Sequence, residues 1–395
     1  MNAPTVIALG CRLNLAEGER LRALLAGKSD LVVINSCAVT GEALRQTRQA
    51  IRRARRVQPS ARLVVTGCAA EIDREAIAAM PEVDALVPNA AKLDPFAWNL
   101  AASPAPAART PAPARTRAFV PVQNGCDHAC TFCAIPRGRG PSRSAPLAEA
   151  LRAVEEALAA GAREVVLTGV DLTSWGHDLP GTPRLGALVR AILDAFPALA
   201  RLRLSSLDGM EIDPLLLELL AQEARVMPHL HLSLQHGADL ILKRMKRRHL
   251  RRDALDLVAR LKAARPEIAI GADLIAGFPT EAAAHHAQSL AIIDELEIVH
   301  AHVFPFSPRP GTPAARMPQL PRELVKARAA ELRARAAARR SAWLHSLVGQ
   351  PLAVLAERGG TGHAPNFAPV ALPAGTAPGT IITLTPSGLQ EGLLA

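Results

Sequence analysis

The chain has 395 residues, 49% hydrophobic and 21% charged, with a formal net charge of +10 that favours a polyanionic partner, nucleic acid first. This length allows two or three domains with a sizeable core, and the composition is that of a globular protein rather than a disordered one. No run of about eighteen apolar residues marks a helical membrane span, and residues 1–10 lack a secretory leader, so a cytoplasmic setting with no membrane partner is expected.

Three apolar runs, at residues 5–10, 31–36 and 63–67, each end at a cysteine: Cys11, Cys37 and Cys68. Continuous rather than alternating hydrophobicity marks strands buried on both faces of a parallel sheet. Helical stretches at 16–26 and 41–56 separate the runs and a third follows at 71–79, the order of right-handed βαβ units. Ligands of such a sheet lie beyond the carboxyl ends of its strands, where all three cysteines fall. They form a candidate metal site, set against the plainer reading of three core thiols. In a reducing compartment cysteines act as metal or redox ligands rather than as disulfides.

Residues 101–118, dense in proline and alanine, read as an extended linker. Soon after it, Cys126, Cys130 and Cys133 form a C-x3-C-x2-C pattern within eight residues. Structural zinc takes four protein ligands, and an iron–sulfur cluster is normally held by four thiolates. Three cysteines point instead to a cluster with one iron left open. S-adenosylmethionine (SAM), a cofactor of radical chemistry, binds at such an iron. A zinc site completed by His128 or a distant histidine, and three unrelated buried thiols, are the other readings.

Candidate strands then recur at 119–122, 164–168, 202–205, 230–234, 269–274 and 300–304, with helical stretches such as 147–160 and 252–264 between them. Six such units predict a partial (β/α)6 barrel, whose reacting groups stand at the carboxyl ends of its strands. Gly169 permits close approach of a ligand, and Ser205, Gln235 and Asp273 are candidate contacts to SAM or substrate. His229, His231, His300 and His302 alternate along strands and read as packing residues rather than metal ligands; His285 and His286 read as surface. The basic run 243–248 is either a solvated face or a phosphate contact. A helix at 322–347, docked by Trp343 and Leu347, leads to β-like pieces at 352–357, 367–372 and 380–385. These predict a small β-barrel of an RNA-binding type. Residues 359–362 are a hairpin turn, since a phosphate loop needs a following lysine and helix.

The flanks of the cysteine loop, Gln123-Asn124-Gly125 before it and Ile135-Pro136-Arg137-Gly138-Arg139-Gly140-Pro141-Ser142-Arg143-Ser144 after it, make it resemble the radical SAM methylthiotransferase family. Gly10-Cys11-Arg12-Leu13-Asn14 with Glu17, Asn35-Ser36-Cys37-Ala38-Val39-Thr40, and Thr66-Gly67-Cys68 resemble the three blocks of that family's N-terminal domain. Leu242-Lys243-Arg244-Met245 is similar to its Leu-x-Arg-Met pattern, and His363 to Val370 to a reduced form of its terminal TRAM signature. Arg137 stands where the family more often has an aromatic residue.

The resemblance spans nearly the whole chain and implies an α/β protein. It would have an N-terminal parallel-sheet domain (1–100), the linker (101–118), a partial (β/α)6 barrel of radical SAM type (119–342) and a small TRAM-like RNA-binding β-barrel (343–395). It further implies two 4Fe-4S clusters and SAM. Cys126, Cys130 and Cys133 would hold the SAM-binding cluster, and Cys11, Cys37 and Cys68 an auxiliary cluster that donates sulfur. The implied activity is conversion of N6-threonylcarbamoyladenosine beside the tRNA anticodon to its 2-methylthio form. The partners would be the tRNA anticodon stem-loop and an electron donor, and the protein a monomer. The alternatives are the subgroups acting on N6-isopentenyladenosine or on an aspartate of a ribosomal protein, and a non-catalytic RNA-binding iron–sulfur protein.

Overall fold

The computed structural model describes residues 3–100 and 116–395; the expected linker, up to residue 115, lies outside them. The described residues gather into two compact units. One is built from residues 3–100, 124–143 and 307–315, the other from 116–123, 144–306 and 316–395.

In the first unit, strands β1 (Thr5–Ala8), β2 (Leu31–Ser36), β3 (Arg62–Gly67) and β4 (Ala85–Leu86) form one parallel sheet in that order. Val32, Ile34, Leu63 and Val65 bury toward one face and Val33 and Val64 toward the other, which is why the runs are continuous in the sequence. Helix α1 (Arg12–Leu24) starts directly after Cys11, earlier than expected. Its first turns carry Asn14 and Glu17 inward beside Leu13 and Ala16, so polarity hid a buried face. Helix α2 (Gly41–Val57) is capped by Thr40, whose side chain accepts from the N–H of Ala43. The third expected helix is two short ones, α3 (Cys68–Ile72) and α4 (Arg74–Ala78), which meet at Asp73. Helix α5 (Ile135–Arg139) follows the cysteine loop.

In the second unit, β5 (Arg117–Pro121), β6 (Glu164–Thr168) and β7 (Arg201–Leu204) form one parallel sheet, and β8 (His229–Gln235), β9 (Ala269–Ala276) and β10 (Ile298–Pro305) another. Parallel bridges, Leu202 to Val226 and Leu207 to Leu232, join the two sheets. Six parallel strands in chain order, with helices such as α6 (Leu147–Ala159), α7 (Leu185–Ala195), α8 (Pro214–Gln222) and α10 (Arg251–Ala264; α9 is Asp239–Arg244) between them, make the partial barrel. α11 (Ala283–Glu295) and α12 (Arg322–Ser346) complete its outer layer; Ala329, Leu332 and Ala336 of α12 bury into the barrel core. Low in the barrel, Glu164 forms a fully buried two-point pair with Arg203 at 2.8 and 3.1 Å.

The C-terminal segment belongs to the same unit. Its sheet contains β11 (Leu352–Ala356), β12 (Thr361–His363), β13 (Pro369–Ala371), β14 (Ile381–Leu384), β15 (Leu389–Gln390) and β16 (Leu393–Leu394), in the order β14-β11-β12-β13-β16-β15. Gly359 and Gly360 make the turn between β11 and β12 with positive φ, as a tight hairpin needs. The sheet sits on the amino ends of the barrel strands. Arg201 donates to the carbonyls of His363 and Ala353, and Phe367 lies under the guanidiniums of Arg117 and Arg203 at 5.0 and 4.8 Å. The tail's one phenylalanine is therefore a docking residue.

Candidate metal centres and cofactor site

Beyond the carboxyl ends of β1, β2 and β3 the chain places Cys11, Cys37 and Cys68 near one another. The turn glycines before two of them are required. Gly10 and Gly67 both have φ 88°, and a Cβ on Gly10 would lie 2.5 Å from Cys37 Sγ. Cys37 and Cys68 are buried and Cys11 is exposed. Burial pushes the Cys37 thiol up to about 11, and the neighbouring Cys68 and Cys11 push the same way. Burial also raises Cys68, against the pull of Arg139. Three sulfurs near enough to raise one another's thiols suit a metal that replaces their protons, and an all-sulfur donor set fits an iron–sulfur cluster.

A buried polar network holds the strand ends in register. Asn14 Nδ2 donates to the carbonyls of Leu9 (2.7 Å) and Ser36 (3.0 Å), tying the approach to Cys11 to that of Cys37. Ser36 Oγ donates to the Thr66 carbonyl and accepts from Ala69 N–H, tying Cys37 to Cys68. Lys92 Nζ reaches Glu17 (2.5 Å) and Asn35 Oδ1 (3.2 Å). Arg139 donates to both oxygens of Glu17 (3.0 and 3.2 Å) and to Asn14 Oδ1 (2.5 Å). Burial alone would raise the Glu17 carboxyl, but the two cations outweigh it and hold it below its ordinary value. Glu17 and Arg139 stand in stretches singled out by the sequence; Lys92 does not, and only its burial reveals it.

Cys126, Cys130 and Cys133 are half-buried on one loop of the same unit. The backbone N–H of His128 donates to Cys126 Sγ and that of Ile135 to Cys133 Sγ, both with N···S 3.4 Å, donors that favour charge on the sulfurs. Cys133 N–H bonds the Cys130 carbonyl, and Cys126 N–H that of Gly140. Gly125 is forced: a Cβ there would fall 1.9 Å from the Pro141 carbonyl oxygen. These N–H···S donors and the three half-open sulfurs fit a cluster with one iron unclaimed by protein. The segment after the loop packs on the other triad. A Cβ on Gly138 would come within 3.4 Å of Cys68 Cβ, and Asn89 Nδ2 donates to the Gly138 carbonyl at 2.6 Å.

In the barrel, Gln123 Oε1 accepts from the N–H groups of Val170 and Asp171, both at 2.9 Å. A Cβ on Gly169 would meet that oxygen at 2.8 Å, so glycine is needed there by Gln123. Thr168 Oγ1 and Ser205 Oγ, at the ends of neighbouring strands, are buried without a hydrogen-bond partner. Two orphaned hydroxyls at carboxyl ends fit a polar ligand such as SAM. Gln235 has φ 72°, a strained conformation for a side-chain-bearing residue at a strand end. Asp273 Oδ1 contacts His231 Nε2 (3.1 Å) and His302 Nδ1 (3.0 Å). Burial would raise this carboxyl, but the two histidines hold it well below the usual carboxylate range.

Two histidines differ from expectation: His302, expected to pack, is exposed and reaches Asp273, and His286, expected at the surface, is covered. His286 is buried, with Nε2 2.6 Å from Glu331, because α12 covers α11. His285 caps α11 through Nδ1, which accepts from Ala282 N–H. In the basic run, Arg247 turns inward to Asp208 (2.9 Å) and Arg248 binds Glu211 (2.7 Å). No helix among the described residues is long and apolar enough to cross a membrane.

The Radical SAM superfamily profile matches residues 120–290, and that of Uncharacterized protein family UPF0004 matches residues 4–88. In structure the chain is similar to the radical S-adenosylmethionine methyltransferase TsrM from Kitasatospora setae. The TM-score is 0.53 at 15% identity, over 72% of this chain and 65% of that one, a likeness of fold alone. Barrel, cysteine loop and profile thus define a radical SAM protein. The chain is 41% identical over 403 residues to the threonylcarbamoyladenosine tRNA methylthiotransferase MtaB of Rickettsia prowazekii (strain Madrid E), covering 98% of this chain and 96% of that one. It is 33% identical over 386 residues to a tRNA-2-methylthio-N(6)-dimethylallyladenosine synthase of Erythrobacter litoralis (strain HTCC2594), covering 90% and 86%. The chain belongs to the radical SAM methylthiotransferase family.

Proposed function

We propose that the protein is a tRNA methylthiotransferase that converts N6-threonylcarbamoyladenosine next to the anticodon into its 2-methylthio derivative. The observation that carries this reading is the pair of cysteine triads, each offering three sulfurs, in a chain 41% identical to a relative named for that reaction. The bond to be replaced is an unactivated C–H, beyond the reach of side-chain acids and bases; reduction of SAM at a site-open cluster supplies the needed radical. In this reading Cys126, Cys130 and Cys133 hold the SAM-binding cluster, with the N–H groups of His128 and Ile135 steadying two of the sulfurs. Cys11, Cys37 and Cys68 hold the auxiliary cluster that presents sulfur. Ser205 would donate its orphaned hydroxyl to SAM, Gly169 would line the pocket with its backbone, and Gln235 and Asp273 would orient SAM or substrate. Asp273 is ionised and pinned by His231 and His302, which suits recognition of a hydroxyl or amino group rather than proton transfer.

The division into N-terminal domain, linker, radical core and RNA-binding tail at residues 100, 118 and 342 belongs to the same proposal, as do a cytoplasmic setting, an external electron donor and a monomeric state. The net charge of +10 supports an RNA partner. Nucleoside mass spectrometry of bulk tRNA from a host with and without the gene tests the reading. Loss of the 2-methylthio nucleoside with accumulation of N6-threonylcarbamoyladenosine supports it. Loss of the isopentenyl form instead would favour the second reading, which rests on the 33% identity to the dimethylallyladenosine enzyme. An unchanged profile would sink both and turn attention to a ribosomal protein.

A further inference from the structure

Three buried cations surround the N-terminal cysteines. Lys92 and Arg139 share the carboxylate of Glu17. Arg309, 5% exposed, comes from the sequence Ser307-Pro308-Arg309-Pro310. Its Nη2 donates to the carbonyl of Ala38, the residue after Cys37, while its Nε is buried without a partner. Cys37 is the first group whose charge favours that guanidinium, ahead of Asp73, which is itself bridged to Arg48 at 2.5 Å. Lys92 and Arg139 likewise act on Cys68, and Arg139 on Cys37. One contacting carboxylate, Glu17, thus opposes three cations, and a surplus of two positive charges is buried beside three sulfurs.

Buried surplus charge is costly unless something of opposite sign matches it. Three thiolates on a doubly positive four-iron core leave one net negative charge. An added monoanionic sulfur donor makes it two, equal to the surplus. We propose that Lys92, Arg139 and Arg309 are the charge-setting residues of the N-terminal site, tuning it toward a cluster that also carries an anionic sulfur donor, hydrosulfide or an alkanethiolate. They are positioning residues and not catalytic ones. The proposal rests on the cluster reading of Cys11, Cys37 and Cys68, but not on the identity of the RNA.

The test uses the full chain with Cys126→Ala, Cys130→Ala and Cys133→Ala, reconstituted anaerobically so that only the N-terminal site can load. Iron content, midpoint potential and methanethiolate affinity are read by analysis, by redox titration and by the spectrum of the reduced cluster. Arg309→Gln is expected to keep its iron, to become harder to reduce and to bind methanethiolate about tenfold more weakly, as loss of one nearby charge dictates. Arg309→Lys restores both. Should Arg309→Gln fail to fold, Lys92→Met is expected to shift potential and affinity in the same direction. Iron-loaded Arg309→Gln and Lys92→Met with the potential and affinity of the parent overturn the proposal, as does Arg309→Lys behaving like Arg309→Gln. A parent chain that takes up no iron overturns the cluster reading itself, and the iron assay separates that failure from failure of the charge proposal.

Discussion

Cys126, Cys130 and Cys133 lie within eight residues and converge through their own loop, whereas Cys11, Cys37 and Cys68 come from three strand ends and converge only when the parallel sheet has formed. The loop triad is half-open and steadied by backbone N–H groups within two residues of its sulfurs. The sheet triad is largely buried and held by side chains of Asn14, Ser36 and Thr47, whose hydrogen bonds bridge segments ten to thirty-three residues apart. A local site should survive damage to the fold around it, and a site made by the fold should not.

The sharpest separation comes from cysteine itself. Cys130→Ser is expected to abolish both methylthiolation and SAM cleavage. Cys68→Ser is expected to abolish methylthiolation and leave SAM cleavage, followed as 5′-deoxyadenosine release under anaerobic reduction. Full methylthiolation by Cys68→Ser would remove the sheet triad from the chemistry.

Gly10→Ala probes the sheet triad without touching a ligand. The new Cβ would fall 2.5 Å from Cys37 Sγ, on a residue whose φ of 88° already disfavours a side chain. Iron bound at the sheet triad should drop to near background, leaving about half the total iron, with the loop cluster retained. Retention of the full iron content would show that the two triads are less different than their geometry implies.

Glu17→Gln removes the carboxylate that Lys92 and Arg139 share and leaves two buried cations facing each other. A stability loss of about 3–5 kcal/mol in denaturant melts at neutral pH is expected. Because the Glu17 carboxyl is held below its ordinary value of 4.5, its stabilisation is present above that pH and is lost as pH falls through the folded value. The gap between parent and variant should therefore be full at pH 7 and close in acid. A gap that does not narrow as the melts are carried below pH 4.5 into strong acid would mean that ionised Glu17 is not what holds the network.

Much of this architecture is legible in the sequence because burial on both faces leaves unbroken apolar runs. The six barrel strands, among them the alternating Arg201–Leu204 and His229–Gln235, also fall within two residues of their expected bounds, and β2 spans residues 31–36 as expected. The loop triad is legible from spacing alone. What the sequence hides is the polar interior. The first turns of α1 look solvent-facing because Asn14 and Glu17 are polar, yet both are buried against partners distant in sequence, Lys92 and Arg139. Lys92 and Arg309 are buried too, and nothing local in the sequence marks either cation as buried. His286 reads as exposed until α12 is laid over it. In each case the missing information is a long-range pairing, which periodicity does not carry.

Thr47→Val addresses that long-range support at its smallest scale. Thr47, buried on α2, donates from Oγ1 to the Cys37 carbonyl at 2.9 Å and accepts from the Cys37 N–H at 3.3 Å. Valine keeps the shape and removes both bonds, leaving two buried backbone groups of Cys37 without these partners. A loss of about 1–2 kcal/mol is expected in denaturant melts. Because the bonds fix the backbone that aims Cys37, iron at the sheet triad should also become easier to chelate, while the loop triad keeps its chelation rate. The loop N–H donors are supplied by the loop's own backbone and owe nothing to α2, so equal slowing or quickening at both triads would show that the sheet triad does not depend on the fold in the way its three strand ends suggest.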